Sequence, residues 1–193
     1  MKKRSLIICL TIFLIIGLTG CNSTQAEPVT EKIEEKTVEN KQTGNGKRVY
    51  FAAPLFNEAE KAYNLKIVAI LEKYGYEVFL PQRDGYLAAE LEGLSDEEKT
   101  AKIFAKDYEE VLKADILFMN LDGRVPDEGG CVELGMAYNA GKRCYGFKND
   151  ARSVELDMDL NPIISGCFQK LFYDINIDKL IESLETYLKE NEL

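Results

Sequence analysis

Two carboxylates six residues apart, Asp127 and Glu133, stand in the run V-P-D-E-G-G-C-V-E-L-G-M-A-Y (125–138). The run follows an apolar segment, D-I-L-F-M-N (115–120), that reads as a buried parallel strand. Gly129-Gly130 would turn the backbone, and a helix is expected over Cys131 to Ala140, stopped by Gly141. Glu133 then falls in the first helical turn, at the lip of the crevice where such sheets hold ligands. A carboxylate there suits a nucleophile or base held ionised by the helix dipole. The position equally suits a plain dipole partner, worth about 0.3–1 kcal/mol.

Other groups converge on the same edge. Asp107 lies between Ile103 and Val111 at i±4, on the inward stripe of its helix. An inward carboxylate is costly unless paired or functional, although a place at the stripe's wet margin fits the pattern as well. The loop after the third strand is acidic, with Asp122, Asp127 and Glu128, and the G-x-G-x-x-G of a dinucleotide fold is missing after the first strand. Phosphate cradles need backbone N–H groups and cations, so a neutral polyhydroxylated ligand suits better. Acids around a sugar-sized crevice suggest glycosyl chemistry, in which one carboxylate attacks the anomeric carbon and another manages the leaving-group proton. Glu133 suits the nucleophile, and Asp107 or Asp127 the partner. Tyr50 can orient Glu133 by a hydrogen bond or simply fill the core. Phe56 and Tyr86 can stack on a base, or be ordinary aromatics at a pocket mouth.

The elements that must position these groups alternate. Lys47 to Ala53 reads as the first strand, and Asn57 caps a helix with the stripe Tyr63, Ile67, Ile70 and Tyr74. Tyr76 to Leu80 is the second strand, followed by a loop, Pro81 to Gly85. Ser95 and Glu98 form a capping box for a helix reaching Lys113. Strands are expected over Arg143–Lys148 and Phe168–Tyr173, before a helix striped by Ile177, Leu180, Ile181, Leu184, Tyr187 and Leu188. The pattern predicts one three-layer α/β domain with a parallel, flavodoxin- or Rossmann-like sheet over residues 47–193.

The 193 residues carry a formal charge of −9, and removal of the first 20, with Lys2, Lys3 and Arg4, leaves −12. So acidic a chain argues against nucleic-acid polymers as partners. The absence of any histidine excludes serine–histidine and cysteine–histidine catalysis and histidine-based zinc sites. Cys131, Cys144 and Cys167 lack paired metal spacing. Met1-Lys-Lys-Arg4, an apolar stretch from Leu6 to Leu18 and Leu18-Thr19-Gly20-Cys21 resemble a bacterial lipoprotein signal over residues 1–20. That resemblance implies cleavage before Cys21, a lipid on its sulfur, and a location on the extracytoplasmic face of the cell membrane. Residues 21–46 are polar, lack aromatics and read as the lipidated cysteine followed by a disordered tether, with a mean span of about 25–30 Å.

The segments V-Y-F-A-A-P-L-F (49–56), K-D-Y-E-E-V-L-K-A-D (106–115) and P-D-E-G-G-C-V-E-L-G-M-A (126–137) resemble the nucleoside 2-deoxyribosyltransferase family. The resemblance covers most of residues 47–165 and implies transfer of 2-deoxyribose between nucleobases through an ester on Glu133. It implies that Tyr50 holds that carboxylate and that Asp107 binds and protonates the leaving base. It further implies that Asp127 binds sugar hydroxyls, that Gln82 sits near the base, and that Asn161 serves a neighbouring subunit's site in a homo-oligomer. The partners are a deoxynucleoside and a free base, with no metal or organic cofactor. Export departs from the family's habit and keeps two alternatives open: a nucleoside hydrolase on the same residues, and a non-catalytic nucleoside-binding lipoprotein.

Overall fold

The computed structural model describes residues 44–152 and 158–193. The expected leader, Cys21 and tether residues 21–43 lie outside the described residues. The last three residues of that tether do not hang free. Gly44 N–H donates to Tyr74 O and Gly46 N–H to Gly75 O, both at 2.9 Å. A Cβ on Gly44 would stand 2.7 Å from the backbone of Gly75 and Tyr76, so only glycine lets the chain lie there.

The elements are β1 (Arg48–Ala52), α1 (Glu58–Lys73), β2 (Glu77–Phe79), α2 (Pro81–Asp84) and a 3₁₀ turn (Ala88–Glu90). There follow α3 (Asp96–Lys113), β3 (Ile116–Asn120), α4 (Glu128–Asn139), β4 (Arg143–Lys148), α5 (Pro162–Ser165), β5 (Lys170–Tyr173) and α6 (Ile177–Glu190). All strand pairs are parallel, in the order β2-β1-β3-β4-β5. This is the expected three-layer α/β sheet, in its flavodoxin-like order. The chain reverses direction across the sheet between β1 and β3, which opens a crevice at their carboxyl ends. One apolar layer joins the sheet to α1 and α6, and the other joins it to α3 and α4. β3 is buried on both faces, which is why its sequence is apolar without alternation.

Local signals explain most boundaries. Asn57 with Glu60 and Ser95 with Glu98 both close complete capping boxes. The buried face of α1 is Asn64, Ile67, Val68 and Leu71, with the expected Tyr63 and Ile70 only at its margin. Pro81 to Asp84 forms one helical turn instead of a loop, because Asp84 Oδ2 accepts from Leu80 N–H at 2.9 Å. On α3, the nearly buried Glu110 carboxylate meets Arg48, Lys106 and Lys113 at 2.8, 3.1 and 3.3 Å, joining that helix to β1. The buried Lys148 ammonium donates to the carbonyls of Arg152 (2.7 Å) and Asp159 (2.8 Å), holding both residues at the end of β4.

The main departure concerns α4, which begins at Glu128 rather than Cys131. Asp127 is its N-cap, with Oδ2 accepting from Gly130 N–H at 2.8 Å, so Gly129 and Gly130 lie inside the helix. A Cβ on Gly130 would stand 3.0 Å from Met119 Cε and 3.8 Å from Ala52 Cβ. The glycine therefore serves close packing of α4 on β1 and β3, not a turn. Glu133 is moved into the second turn, where the dipole has largely faded. A plain dipole partner no longer accounts for it.

Candidate active site

Tyr50, at the middle of β1, is fully buried on the α3–α4 side and stacks on Phe79 with ring centroids 5.5 Å apart. Its hydroxyl donates to Glu133 Oε1 at 2.6 Å. Burial, then the negative fields of Glu133 and Asp107, push the phenol above its ordinary range. Tyr50 therefore stays protonated and acts on Glu133 as a donor. The Glu133 carboxyl is raised to about 8 by burial first, with Asp107 and Asp127 adding to the rise and the Tyr50 bond opposing it. Burial raises Asp107 to about 6 against the pull of Lys106. Two carboxyls that feel each other's charge and are driven to different values are the raw material for dividing acid and base roles.

The elements explain the meeting. Strand alternation sends Tyr50 and Ala52 to the α4 side while Val49 and Phe51 enter the other layer. The Asp127 cap sets the start of α4, and Glu133 follows at the sixth helical position. On α3, the 3.6-residue period puts Asp107 on the stripe of Ile103 and Val111, and there it is half-buried, at the margin of the stripe beside the groove. A groove of about 380 Å³ opens between α3 and α4, lined by Asp107, Ile103, Phe104, Gly129, Val132 and Met136. Its apolar walls and single acid suit a flat, weakly polar ring with a protonatable nitrogen.

The remaining expected residues stand around this centre in different ways. Asp127 holds the α4 cap through Oδ2, which leaves Oδ1 for another partner. Gln82, in α2 at the end of β2, accepts from Asn64 Nδ2 at 2.9 Å and donates to Lys61 O at 3.0 Å. Phe56, just after β1, is 76% exposed. Tyr86 is also exposed, with Lys102 Nζ 6.0 Å from its ring centroid. Asn161 caps α5, its Oδ1 accepting from Ile163 N–H at 3.0 Å. Among the described residues no group of three or more cysteine or acidic side chains has metal-holding geometry.

Sequence reasoning missed Asn64 and Asn120. Both are buried and hydrogen-bonded to each other at 3.1 Å beneath the carboxyl edge. Their signal was present: Asn64 is the polar member of an i, i+3, i+4, i+7 face, and Asn120 ends an apolar strand.

The model of the nucleoside 2-deoxyribosyltransferase family matches residues 49–182. The chain belongs to that family. Among solved structures, a 2-deoxyribosyltransferase from Bacillus psychrosaccharolyticus is 28% identical, with 72% of this chain and 91% of that one covered at a TM-score of 0.59. A conserved protein from Enterococcus faecalis is 26% identical over 75% of this chain and 98% of its own, also at 0.59. A CMP N-glycosidase from Clostridium botulinum shares the fold at 19% identity and a TM-score of 0.50, covering 73% of this chain and 99% of its own. No curated protein matches the chain significantly. Membership makes this an enzyme domain of the deoxyribosyl, N-glycosyl-transferring type. The described helices include none long and apolar enough to cross a membrane.

Proposed function

We propose that the protein exchanges the base of 2′-deoxynucleosides by two displacements at Glu133. The observation that carries this reading is the 2.6 Å Tyr50–Glu133 bond, with Asp107 close enough for its charge to act on both partners. In the first displacement the ionised Glu133 attacks C1′, the C1′–N bond breaks, and protonated Asp107 gives its proton to the departing base. Tyr50 holds the attacking carboxylate, and Asp127 Oδ1 receives a sugar hydroxyl. In the second, a new base loses a proton to Asp107 and its nitrogen attacks C1′ of the ester, releasing Glu133. Gln82 faces the base, and the exposed rings of Phe56 and Tyr86 are available to stack on it. The decisive test incubates the protein with 2′-deoxyinosine, with and without adenine. Deoxyadenosine formed only with adenine supports the reading. Free deoxyribose without exchange points to the hydrolase, and no turnover across a nucleoside panel leaves a binding protein.

The sequence of residues 1–21 supports anchoring through lipid on Cys21, on the extracytoplasmic face. Replacing Cys21 with alanine is expected to move the protein from the membrane to the soluble fraction, and persistence in the membrane would reject the anchor. Assembly into a homo-oligomer, with Asn161 serving a neighbour's sugar site, is supported by exposed Phe104, Tyr108 and Val132 beside the groove. Light scattering is expected to give a multiple of the monomer mass; a monomer at working concentration would exclude it.

A further inference from the structure

Beneath the rim runs a chain of amide hydrogen bonds of which the proposed reaction uses only the outer member, Gln82. Asp122 N–H donates to Asn120 Oδ1 at 2.9 Å, and Asn120 Nδ2 donates to Asn64 Oδ1 at 3.1 Å. Asn64 Nδ2 donates to Pro54 O at 2.8 Å and to Gln82 Oε1 at 2.9 Å. Gln82 Nε2 then donates to Lys61 O at 3.0 Å. Asn64 and Asn120 are 0% and 1% exposed.

An isolated side-chain amide can face either way, because its oxygen and nitrogen are nearly the same size. Here the ends remove that freedom. A backbone N–H at Asp122 can only donate, and the backbone carbonyls of Pro54 and Lys61 can only accept. Turning over any one of the three amides would set donor against donor or acceptor against acceptor, shielded from water at Asn64 and Asn120 and half-shielded at Gln82. The direction is therefore fixed from Asp122 to Lys61. Gln82, half-buried at the rim, keeps one Nε2 hydrogen and one Oε1 lone pair unassigned, on sides it cannot exchange.

We propose that Asn64 is a positioning residue that locks the Gln82 amide and so sets which bases the site accepts, an inference that rests on Gln82 facing the base. A freely turning glutamine serves a 6-amino and a 6-oxo purine equally well, presenting acceptor to one and donor to the other. A locked one serves only one of them, since the mismatched base leaves a desolvated group unpaired. Asn64 also holds Pro54, Gln82 and Asn120 at the ends of β1, β2 and β3, so its amide registers the three strand ends that border the rim.

The test compares kcat/KM for adenine and hypoxanthine as acceptors, with 2′-deoxyguanosine as donor, in the parent, Asn64→Leu and Asn64→Asp. Leucine keeps the volume and removes every bond; aspartate keeps the shape and removes both donors. The parent is expected to favour one purine by about tenfold or more, and both variants to bring the ratio within about threefold. A structural role alone would lower melting temperature and both rates together, leaving the ratio unchanged. That outcome in folded variants would overturn the inference, as would a parent that does not discriminate. A second readout needs no turnover. The Gln82 side-chain N–H₂ resonances are expected to exchange slowly in the parent and to shift and lose protection in both variants; unchanged signals would reject the lock. If the parent transfers no deoxyribose, that result falls on the transferase reading, and these resonances decide the role of Asn64.

Discussion

Glu133→Gln is expected to abolish base exchange, lowering kcat by on the order of 10⁴–10⁶-fold, the scale seen when a nucleophile is removed. Glutamine keeps the shape, and its Oε1 still accepts from Tyr50 across the 2.6 Å contact, so the fold has no reason to change. What disappears is the ionisable oxygen that forms the bond to C1′. Intact mass after mixing with 2′-deoxyinosine is expected to show a deoxyribosyl adduct in the parent and none in the variant. Activity within tenfold of the parent would exclude Glu133 as the nucleophile. Asp107→Asn is expected to lower the rate less, by about 10²–10⁴-fold, because a general acid assists a step that can proceed slowly without it.

The same substitution has a stability signature. Burial raises the Glu133 carboxyl to about 8 in the folded chain, above its ordinary 4.5. The protonated form therefore favours folding; this contribution is complete below pH 4.5 and is lost as pH rises through 8. Glutamine mimics the protonated acid at every pH. Glu133→Gln is expected to match the parent's unfolding free energy near pH 4 and to exceed it near pH 9, by on the order of 2–5 kcal/mol. A site that stabilises the protein when disarmed is under functional constraint.

The second large effect is the pH dependence. Glu133 and Asp107 interact, so they titrate as a pair, with apparent values near 8 and 6. Catalysis needs one proton on the pair, with Glu133 ionised and Asp107 carrying it. The kcat/KM profile is expected to be a bell, falling below about pH 6 as both acids protonate and above about pH 8 as both ionise. In the empty site the single proton prefers Glu133, which scales the whole bell without moving its limbs. Tyr50→Phe removes the bond that lowers Glu133, so the upper limb should move to higher pH and kcat/KM should fall about 10–100-fold. An unmoved upper limb would mean that Tyr50 does not tune the nucleophile. A profile flat from pH 5 to 9 would remove the acid pair from the mechanism.

The alternation of strands and helices, the β3 segment and the stripe of α6 could be read from the chain, because each records a local burial pattern in residue type. The same holds for the caps at Asn57 and Ser95, whose partners lie three residues away. The acids Asp107, Asp127 and Glu133 were legible as chemistry, since charges on an inward stripe or in a glycine-rich segment need a reason. The meeting of Tyr50 with Glu133 was legible from the residues only as one of two options and otherwise through the family resemblance, because 83 residues separate them and the order of β1 beside β3 is what brings them together. The start of α4 was misread for a related reason. Two glycines look like a turn in sequence, but packing against Met119 and Ala52 made them a helical contact surface. The Asn64 chain was hidden altogether. A polar residue on an apolar face announces burial, but not its partners, and those lie on Pro54, Gln82 and Asn120 at three separate strand ends. Sequence by itself determined which groups are present and which layers they enter. The tertiary structure alone decided which of them touch, and so how burial and neighbouring charge drive two similar carboxyls to different proton affinities.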